Sequence, residues 1–315
     1  MTLNVLLLIL GFVLLIFGAN GLVDGASSVA RKFGISDFII GLTVVAFGTS
    51  APELVVSTVA AIEKSTDIAI TNVLGSNIMN VFIILGITAL VYPIASTAEA
   101  RKLDIPMAMF AGLAVLLMTV IEKNSLGRWD GVILLTIFIL YLAYTVHNGK
   151  KLQDSTSTQK KMMSTWRSLV YVIGGLGTLI IGGKLIVDNA VAIARAMNVS
   201  DALIGVTIVA LGTSLPELAT SVIAAVKKNS GIALGNVVGS NIFNVFLILG
   251  VSASICELRA YDEIIWDSAM AALSGLLVWL FVMTNKNHEI KRWHGALLLL
   301  MYAAYFVVRI LGVGF

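Results

Sequence analysis

The stretch that decides the fold is a seven-residue sequence that occurs once in each half of the chain. Gly48–Leu54 reads GTSAPEL, and Gly212–Leu218, 164 positions further on, reads GTSLPEL. Each copy places a proline and a glutamate inside a long apolar run. If such a run crosses a membrane, an acidic side chain within it is costly unless it meets a polar cavity, a proton or a cation.

The offset of 164 positions relates a much longer segment. From Ser36 to Gly86, 31 of 51 residues are identical to the residue 164 positions later, and a second motif, GSNIMN at Gly75–Asn80, recurs as GSNIFN at Gly239–Asn244. The chain is therefore a duplication. A polar segment rich in Ser, Thr, Gln and Lys separates the copies, so we predict a repeat at 1–147, a cytoplasmic linker at 148–166 and a repeat at 167–315, forming one integrated domain.

The composition places this chain in a membrane. Of 315 residues, 58% are hydrophobic and only 12% are charged, about half the charged fraction of a soluble domain. The net charge of +3 indicates no nucleic-acid partner. A single cysteine, Cys256, excludes an internal disulfide and a cysteine-built zinc site.

Ten apolar stretches are long enough to cross a bilayer as helices. None alternates polar and apolar residues as the strands of a membrane barrel do. We therefore predict an all-α membrane protein with ten transmembrane helices. The stretches lie near 3–30, 38–62, 68–93, 104–121, 130–147, 167–194, 202–226, 231–256, 263–284 and 294–313.

The number of stretches per copy predicts the topology. Five spans are an odd number, so the second copy enters the membrane the other way up, giving two inverted five-helix repeats. Secondary transporters often have this plan, with a site between the repeats near the midplane. With the N-terminus outside, 14 Lys and Arg fall in inner loops and 6 in outer loops, so the positive-inside bias predicts both termini outside.

The repeated proline and glutamate predict a cation site. Pro52 cannot donate to the carbonyl of Gly48, and its ring opens that turn, while Thr49 and Glu53 share a helix face. The second copy repeats this arrangement. Carboxylate, carbonyl and hydroxyl oxygens suit Ca²⁺ or Na⁺, and the same spans hold no Lys or Arg to pair with the acids. The alternative is a permanently protonated carboxyl bonded across helices.

The second motif adds neutral oxygens at helical spacing. Ser76 and Asn80 share one face, as do Ser240 and Asn244. Such pairs often only join membrane helices, but their place in the repeat favours ligation. Two carboxylates match one Ca²⁺ or two or more monovalent cations, and that competition is the chemical basis of antiport.

Doubled and inverted, these motifs resemble the cation/Ca²⁺ exchanger superfamily, in particular its prokaryotic Na⁺/Ca²⁺ exchanger branch. The resemblance implies antiport of Na⁺ for Ca²⁺ by alternating access, with helices two, three, seven and eight as core and the long helices one and six sliding against it. It implies a multi-pass protein of the plasma or inner membrane that works as a monomer, with the ions and the lipid bilayer as partners. No cofactor, nucleotide or nucleic acid is implied.

The resemblance also assigns ligands. Ca²⁺ would bind Glu53 and Glu217 with the backbone carbonyls of Thr49 and Thr213. The Na⁺ sites would add the carbonyls of Ala46 and Ala210 and the hydroxyls of Ser50, Ser76, Ser214 and Ser240. Asn80 lies at a central position that is commonly Asn in the first repeat. Asn244 stands where this branch often has Asp, which leaves an H⁺/Ca²⁺ exchanger on the same scaffold as the alternative.

Two functions outside the exchanger class remain as alternatives. An intramembrane hydrolase would use the two glutamates as acid and base, but the sequence lacks a His-Glu-x-x-His motif and a Ser/His arrangement within the apolar spans. A passive cation channel would conduct without a counter-ion.

One further pair of acids repeats at the same offset, Asp24 and Asp188 near the ends of the first and sixth helices. Lys184 lies four residues before Asp188, a spacing that permits an ion pair. We predict structural roles for these residues.

Overall fold

The computed structural model describes residues 2–121, 125–149, 163–197, 210–259 and 264–310. Most of the predicted linker, 150–162, lies outside the described residues. So do residues 202–209 of the predicted seventh span and the repeated pair Ser200 and Asp201.

Helices occupy each predicted apolar stretch within the described residues. The first half contains α1 (Thr2–Phe33), α2 (Asp37–Ile40), α3 (Ala46–Thr49), α4 (Ala51–Ile62), α5 (Thr66–Met79), α6 (Gly86–Val91), α7 (Ile105–Ile121) and α8 (Arg128–Gly149). The second half contains α9 (Thr165–Ala196), α10 (Ala210–Thr213), α11 (Leu215–Val226), α12 (Ser230–Ile242), α13 (Gly250–Ile255), α14 (Ile264–Thr284) and α15 (Arg292–Ile310).

Length and composition make the chain an all-helical membrane protein. Seven of the described helices are long and apolar enough to cross a bilayer. Residues Asp37–Thr49 and Ala51–Ile62 add an eighth span if they are counted together, since they meet at a bend of 47°.

The bend is the local opening that Pro52 predicts. Ser50 lies between α3 and α4 with φ −83° and ψ 8°, outside helical geometry, and Pro52 stands in the first turn of α4, where its missing N–H is tolerated. In the second half, Ser214 has φ −87° and ψ 3° before Pro216. Both copies therefore break one residue after the Gly-Thr pair.

Several helices widen into π-helical turns, which the sequence analysis does not predict. These turns are Gly41–Val45, Asn80–Leu85, Ala100–Asp104 and Phe243–Leu249. π-Helical turns occur often at functional sites, and two of these carry Asn80 and Asn244.

Two long helices form the centre of the molecule. One runs from α5 through a π-helical turn into α6, and the other from α12 through a π-helical turn into α13. Burial covers 94% of the most apolar part of Ser230–Ile255 and 78% of that part of Thr66–Val91, against 28% in Thr2–Phe33 and 33% in Thr165–Ala196. The two motif-bearing segments are therefore inside, and the long α1 and α9 lie at the periphery.

Helices α1 and α9 pack against each other through glycines. A Cβ at Gly18 would lie 2.8 Å from the carbonyl of Gly175, and one at Gly11 would lie 2.9 Å from the carbonyl of Gly182. The offset of 164 turns one contact into the other, since it relates Gly11 to Gly175 and Gly18 to Gly182. The two long helices therefore approach at backbone distance.

Four two-residue strands, which the sequence analysis does not predict, lie at helix ends. β1 (Ile94–Ala95) pairs antiparallel with β4 (Glu289–Ile290), and β2 (Ser125–Leu126) pairs antiparallel with β3 (Leu258–Arg259). Backbone groups beyond the helix ends need partners, and each ladder provides them by joining one half of the chain to the other.

Candidate functional site

The two repeated glutamates lie at corresponding points in the interior. Glu53 stands in the first turn of α4 and Glu217 in the first turn of α11. Each is only 1% exposed. The break before each helix directs the first-turn acid and the neighbouring hydroxyls to the same centre.

Each glutamate meets hydroxyls from the opposite half. Ser50 Oγ donates to Glu217 Oε1 at 3.0 Å, and the hydroxyl of Thr49 lies near the same carboxylate. The hydroxyls of Thr213 and Ser214 lie near the carboxylate of Glu53. The two copies of GTS-x-PE therefore form a single cluster.

Four asparagines join the central helices in reciprocal fashion. Asn80 Nδ2 donates to Asn241 Oδ1 and Asn244 Nδ2 donates to Asn77 Oδ1, both at 3.0 Å. The Nδ2 of Asn77 donates to the carbonyl of Asn241 at 3.2 Å, and the Nδ2 of Asn241 donates to the carbonyl of Asn77 at 3.4 Å. We call these four residues the amide square.

The amide square leaves particular oxygens without donors. Within the described residues, Oδ1 of Asn80 and of Asn244 are buried and have no hydrogen-bond partner, as are Oε2 of Glu53 and of Glu217 and Oγ of Ser240. A buried polar atom left unpaired costs about 1–3 kcal/mol. These atoms are therefore suited to a ligand that accepts electron pairs from several oxygens at once.

Other buried acids of the described chain do have protein donors. Tyr141 donates to Asp104 Oδ1 at 2.6 Å, and the N–H of Gly127 donates to Asp130 Oδ2 at 2.8 Å. Asp267 accepts from Tyr305 at 2.8 Å and pairs with Arg309 at 3.0 Å. Of the acids that are buried in the described chain, only Glu53 and Glu217 keep a buried carboxylate oxygen without a hydrogen-bond partner.

The donor set is one of hard oxygens. In the parts of the chain that the structure covers, no three or more His, Cys, Asp or Glu side chains are grouped so that they could hold a metal ion. Two carboxylates with neutral amide and hydroxyl oxygens fit Ca²⁺ or Na⁺ and not a soft metal. No described lysine or arginine forms a salt bridge with Glu53 or Glu217.

The structure brings most of the predicted site residues together. The residues that meet around the two carboxylates are Glu53, Glu217, Thr49, Thr213, Ser50 and Ser214. Asn80 and Asn244 belong to the amide square, on segments that pack against α11 and α4 respectively. Ser214 Oγ approaches Ser76 Oγ to 3.5 Å, and Ser240 is fully buried.

The carbonyl of Ala46 and the hydroxyl of Thr49 already have partners within the protein. The carbonyl of Ala46 accepts from the N–H of Ser50 at 3.0 Å and from the hydroxyl of Thr49 at 3.3 Å. The same hydroxyl also lies 3.1 Å from Asn236 Oδ1. Ala210 begins α10 at the edge of the described residues.

Sequence reasoning missed two asparagines that hold the glutamate helices in place. Asn72 Nδ2 donates to the carbonyl of Glu53 at 3.3 Å and to Ser57 Oγ at 2.8 Å. Asn236 Nδ2 makes the same two bonds to Glu217 and Ser221, at 3.3 and 2.9 Å. Their signal is in the duplication, because both pairs are identical at the offset of 164.

A helical membrane fold with an oxygen-lined centre shared by two halves is that of an ion transporter. The family model described as "Sodium/calcium exchanger protein" matches residues 3–146 and 167–311. The chain belongs to this family, and it is therefore an exchanger-type antiporter and not an enzyme.

Two relatives and one solved structure are similar to this chain over nearly its whole length. The chain is 40% identical to the "Putative antiporter CaxA" of Alkalimonas amylolytica, covering 94% of this chain and 95% of that protein. It is 33% identical to the "Sodium/calcium exchanger MaX1" of Methanosarcina acetivorans, covering 98% of each. A solved structure of the sodium-calcium exchanger NCX_Mj superposes with a TM-score of 0.84 at 38% identity, covering 97% of this chain and 98% of that one.

Proposed function

We propose that this protein exchanges Na⁺ for Ca²⁺ across a cell membrane by alternating access, with the ions bound between the two repeats. Glu53 and Glu217 would be the charged ligands, and the carbonyls of Thr49 and Thr213 would complete the Ca²⁺ site. Na⁺ would use the other predicted oxygens, from Ala46, Ala210, Ser50, Ser214, Ser76, Ser240, Asn80 and Asn244. The carrying observation is that both glutamates and the amide square leave buried oxygens unpaired, on segments that pack against each other, α4 on Phe243–Leu249 and α11 on Asn80–Leu85.

The proposal includes a full topology of ten membrane helices in two inverted repeats, 1–147 and 167–315, joined by a cytoplasmic linker at 148–166. Reciprocal contacts support it, since β1 pairs with β4 and its counterpart β3 pairs with β2. A two-fold axis in the membrane plane produces such exchanged pairings. We further propose that both termini lie outside a plasma or inner membrane and that the monomer is the working unit.

Antiport follows from the charge of this centre. Two carboxylates carry a formal charge of −2 in a buried environment, where an unbalanced charge is strongly disfavoured. One Ca²⁺ balances that charge, and so do two monovalent cations that use the same oxygens. With the site empty, the protein would therefore change its facing state slowly. Exchange of one cation for the other would be favoured over transport of one cation alone.

The second candidate is H⁺/Ca²⁺ exchange on the same scaffold. Asn244 motivates it, because the pair of glutamates could carry two protons without help from a third acid. The name of MaX1 as a sodium/calcium exchanger and the GTS-x-PE form of the motif favour Na⁺.

Flux measurements in liposomes separate these two functions. We expect ⁴⁵Ca²⁺ uptake by protein-containing liposomes to be driven by an outward Na⁺ gradient and to be unaffected when the pH difference is clamped at zero. Uptake that needs a pH difference and ignores Na⁺ would support the H⁺ exchanger instead. Ca²⁺ flux that continues with neither counter-ion would indicate a channel.

The site assignment has its own test in Glu53→Gln and Glu217→Gln. Each variant keeps the side-chain volume but removes one of the two charges, so we expect Na⁺-driven Ca²⁺ uptake to fall to the background of empty liposomes. Glu257→Gln, at an exposed position, is the matched control and should transport normally. Exchange retained by either site variant, with an unchanged elution profile in size-exclusion chromatography, would show that the site is elsewhere.

A further inference from the structure

A row of polar contacts holds helix α1 to the turn between α11 and α12. Lys227 Nζ lies 2.8 Å from Asp24 Oδ1 and donates to the carbonyl of Asn20 at 3.0 Å. Asn229 Nδ2 donates to Ser27 Oγ at 2.9 Å. The side chain of Lys227 is only 19% exposed, so the ion pair is partly shielded from solvent.

The duplication provides an equivalent turn in the first half. Lys64 and Lys228 both have positive φ, 61° and 57°. The N–H groups of Ser65 and Asn229 each donate at 2.8 Å to the carbonyl five residues earlier. The turn between α4 and α5 is thus a structural copy of the turn between α11 and α12, with Glu63 at the position of Lys227.

One of the two equivalent helix residues carries a charge that matches this change, and the other remains an acid. The offset of 164 relates Asn20 to Lys184 and Asp24 to Asp188. The second-half turn carries the base Lys227, and its acid Asp24 lies on α1. In the first half the acid is on the turn (Glu63), and α9 carries a base at Lys184.

The first-half contact is not made in this structure. Lys184 instead pairs with Asp188 on its own helix at 3.2 Å, as the spacing predicts, and these side chains are 75% and 56% exposed. Glu63 is exposed and forms no ion pair with the described part of the chain. Helix α1 packs along α11, whereas the corresponding packing of α9 on α4 is slight.

We propose that these are two alternative ion-pair latches, one for each facing state. Asp24–Lys227 holds α1 on the second-half turn in the state described here. In the opposite state Lys184 leaves Asp188 and pairs with Glu63, which holds α9 on the first-half turn. This inference rests on the alternating access of the proposed function.

The close packing of α1 and α9 explains why the latches alternate. Backbone contacts at Gly11–Gly182 and Gly18–Gly175 leave the two helices little freedom to separate, so they would move together relative to the buried helices. In an inverted repeat, the two facing states exchange the contact sets of the two halves. A partly exposed ion pair shifts such an equilibrium by about two- to fivefold, so the latches set the balance of states without blocking transport.

Two symmetry-related pairs of spin labels would measure this balance. Phe17 with Val226 reports the α1 side, and Ile181 with Ile62 reports the α9 side. All four residues are well exposed, and the offset of 164 relates one pair to the other. The labels are placed on cysteines in a Cys256→Ser background, and electron–electron distances are measured in Na⁺ and in Ca²⁺.

We expect Lys227→Gln to lower the population with a short Phe17–Val226 distance by about two- to fivefold and to raise the population with a short Ile181–Ile62 distance. Glu63→Gln should shift both populations the opposite way. The reversed pair Asp24→Lys with Lys227→Asp should restore the original balance. Lys228→Gln removes the same charge one residue away, at an exposed position, and should change nothing.

The outcomes separate the latch from the function on which it rests. If the unsubstituted labelled proteins show one fixed distance in every ionic condition, alternating access itself is refuted. If their distances interconvert but Lys227→Gln and Glu63→Gln leave the populations unchanged, or shift them in the same direction, the latch is refuted and the proposed function stands.

Discussion

At the scale of single residues, the amide square shows how two buried asparagines can each keep one oxygen unpaired. The amide nitrogens of Asn80 and Asn244 are both engaged, with Asn241 and Asn77 respectively. Because each nitrogen is fixed by a partner from the other half, each free Oδ1 is presented away from that contact. The two halves therefore each contribute one glutamate and one asparagine with an unpaired oxygen, at positions related by the offset of 164.

Asn244→Asp tests that description. A carboxylate there adds a third negative charge to Phe243–Leu249, which packs against α4 with Glu53, and cannot donate to Asn77 Oδ1. We expect the apparent affinity for Ca²⁺ in the liposome assay to rise by about fivefold or more, the factor that corresponds to 1 kcal/mol, and the charge moved per cycle to change.

The control for this substitution is Asn189→Asp. Asn189 is also buried but lies on α9 and donates to the carbonyl of Leu185 in its own helix. Unchanged Ca²⁺ affinity and unchanged coupling in Asn244→Asp would show that residue 244 contributes no ligand.

At the scale of elements, helix breaks and close contacts position the site more than helix propensity does. The break at Ser50 turns the first turn of α4, with Glu53, into the interior. The π-helical turn from Asn80 rotates the rest of that span relative to α5. The glycine contacts of α1 and α9 let two 32-residue helices pack at backbone distance.

Gly175→Ala tests the close approach of α1 and α9. The added Cβ would lie 2.7 Å from the backbone nitrogen of Leu22 and 2.8 Å from the carbonyl of Gly18. We expect this overpacking to destabilise the protein by about 1–3 kcal/mol, seen as a lower melting temperature in detergent. Gly177→Ala, with open space around its Cβ, is the matched control. Equal melting temperatures in the two variants would contradict the described packing.

At the scale of the whole molecule, we expect the two halves to fold as one unit. Helix α1 packs on α9, α12 packs on α2 and on Gly41–Val45, and both short ladders pair a strand from each half. A half by itself would expose the glycine faces and the unpaired asparagines that its partner covers.

Dividing the chain between residues 155 and 156 tests this unity. We expect the two fragments, produced together, to co-purify through a tag on either one and to catalyse Na⁺-driven Ca²⁺ uptake. Each fragment produced alone should aggregate. Intact protein cut after folding at a protease site in the same position is the control. A single fragment that elutes as a stable monomer would contradict the prediction.

The sequence by itself determined the helical membrane class, the positions of the apolar helices, the duplication and the two buried acids. These follow from composition, run length and identity at one offset, all of which are local or self-comparing properties. The break near Pro52 was also predictable, because a proline removes one specific hydrogen bond wherever it stands.

Only the tertiary structure decided which surfaces meet. Contacts between residues more than 100 positions apart form the amide square, the pairing of β1 with β4, the hydroxyl contacts across halves and the ion pair of Lys227 with Asp24. Glu63, at the position equivalent to Lys227, makes no such contact with the described chain. The sequence of a motif does not tell whether its side chains face lipid, or whether they are hydrogen-bonded in the interior. The physical reason is that burial and hydrogen bonding depend on the neighbouring chain segment, which in this fold comes from the other half.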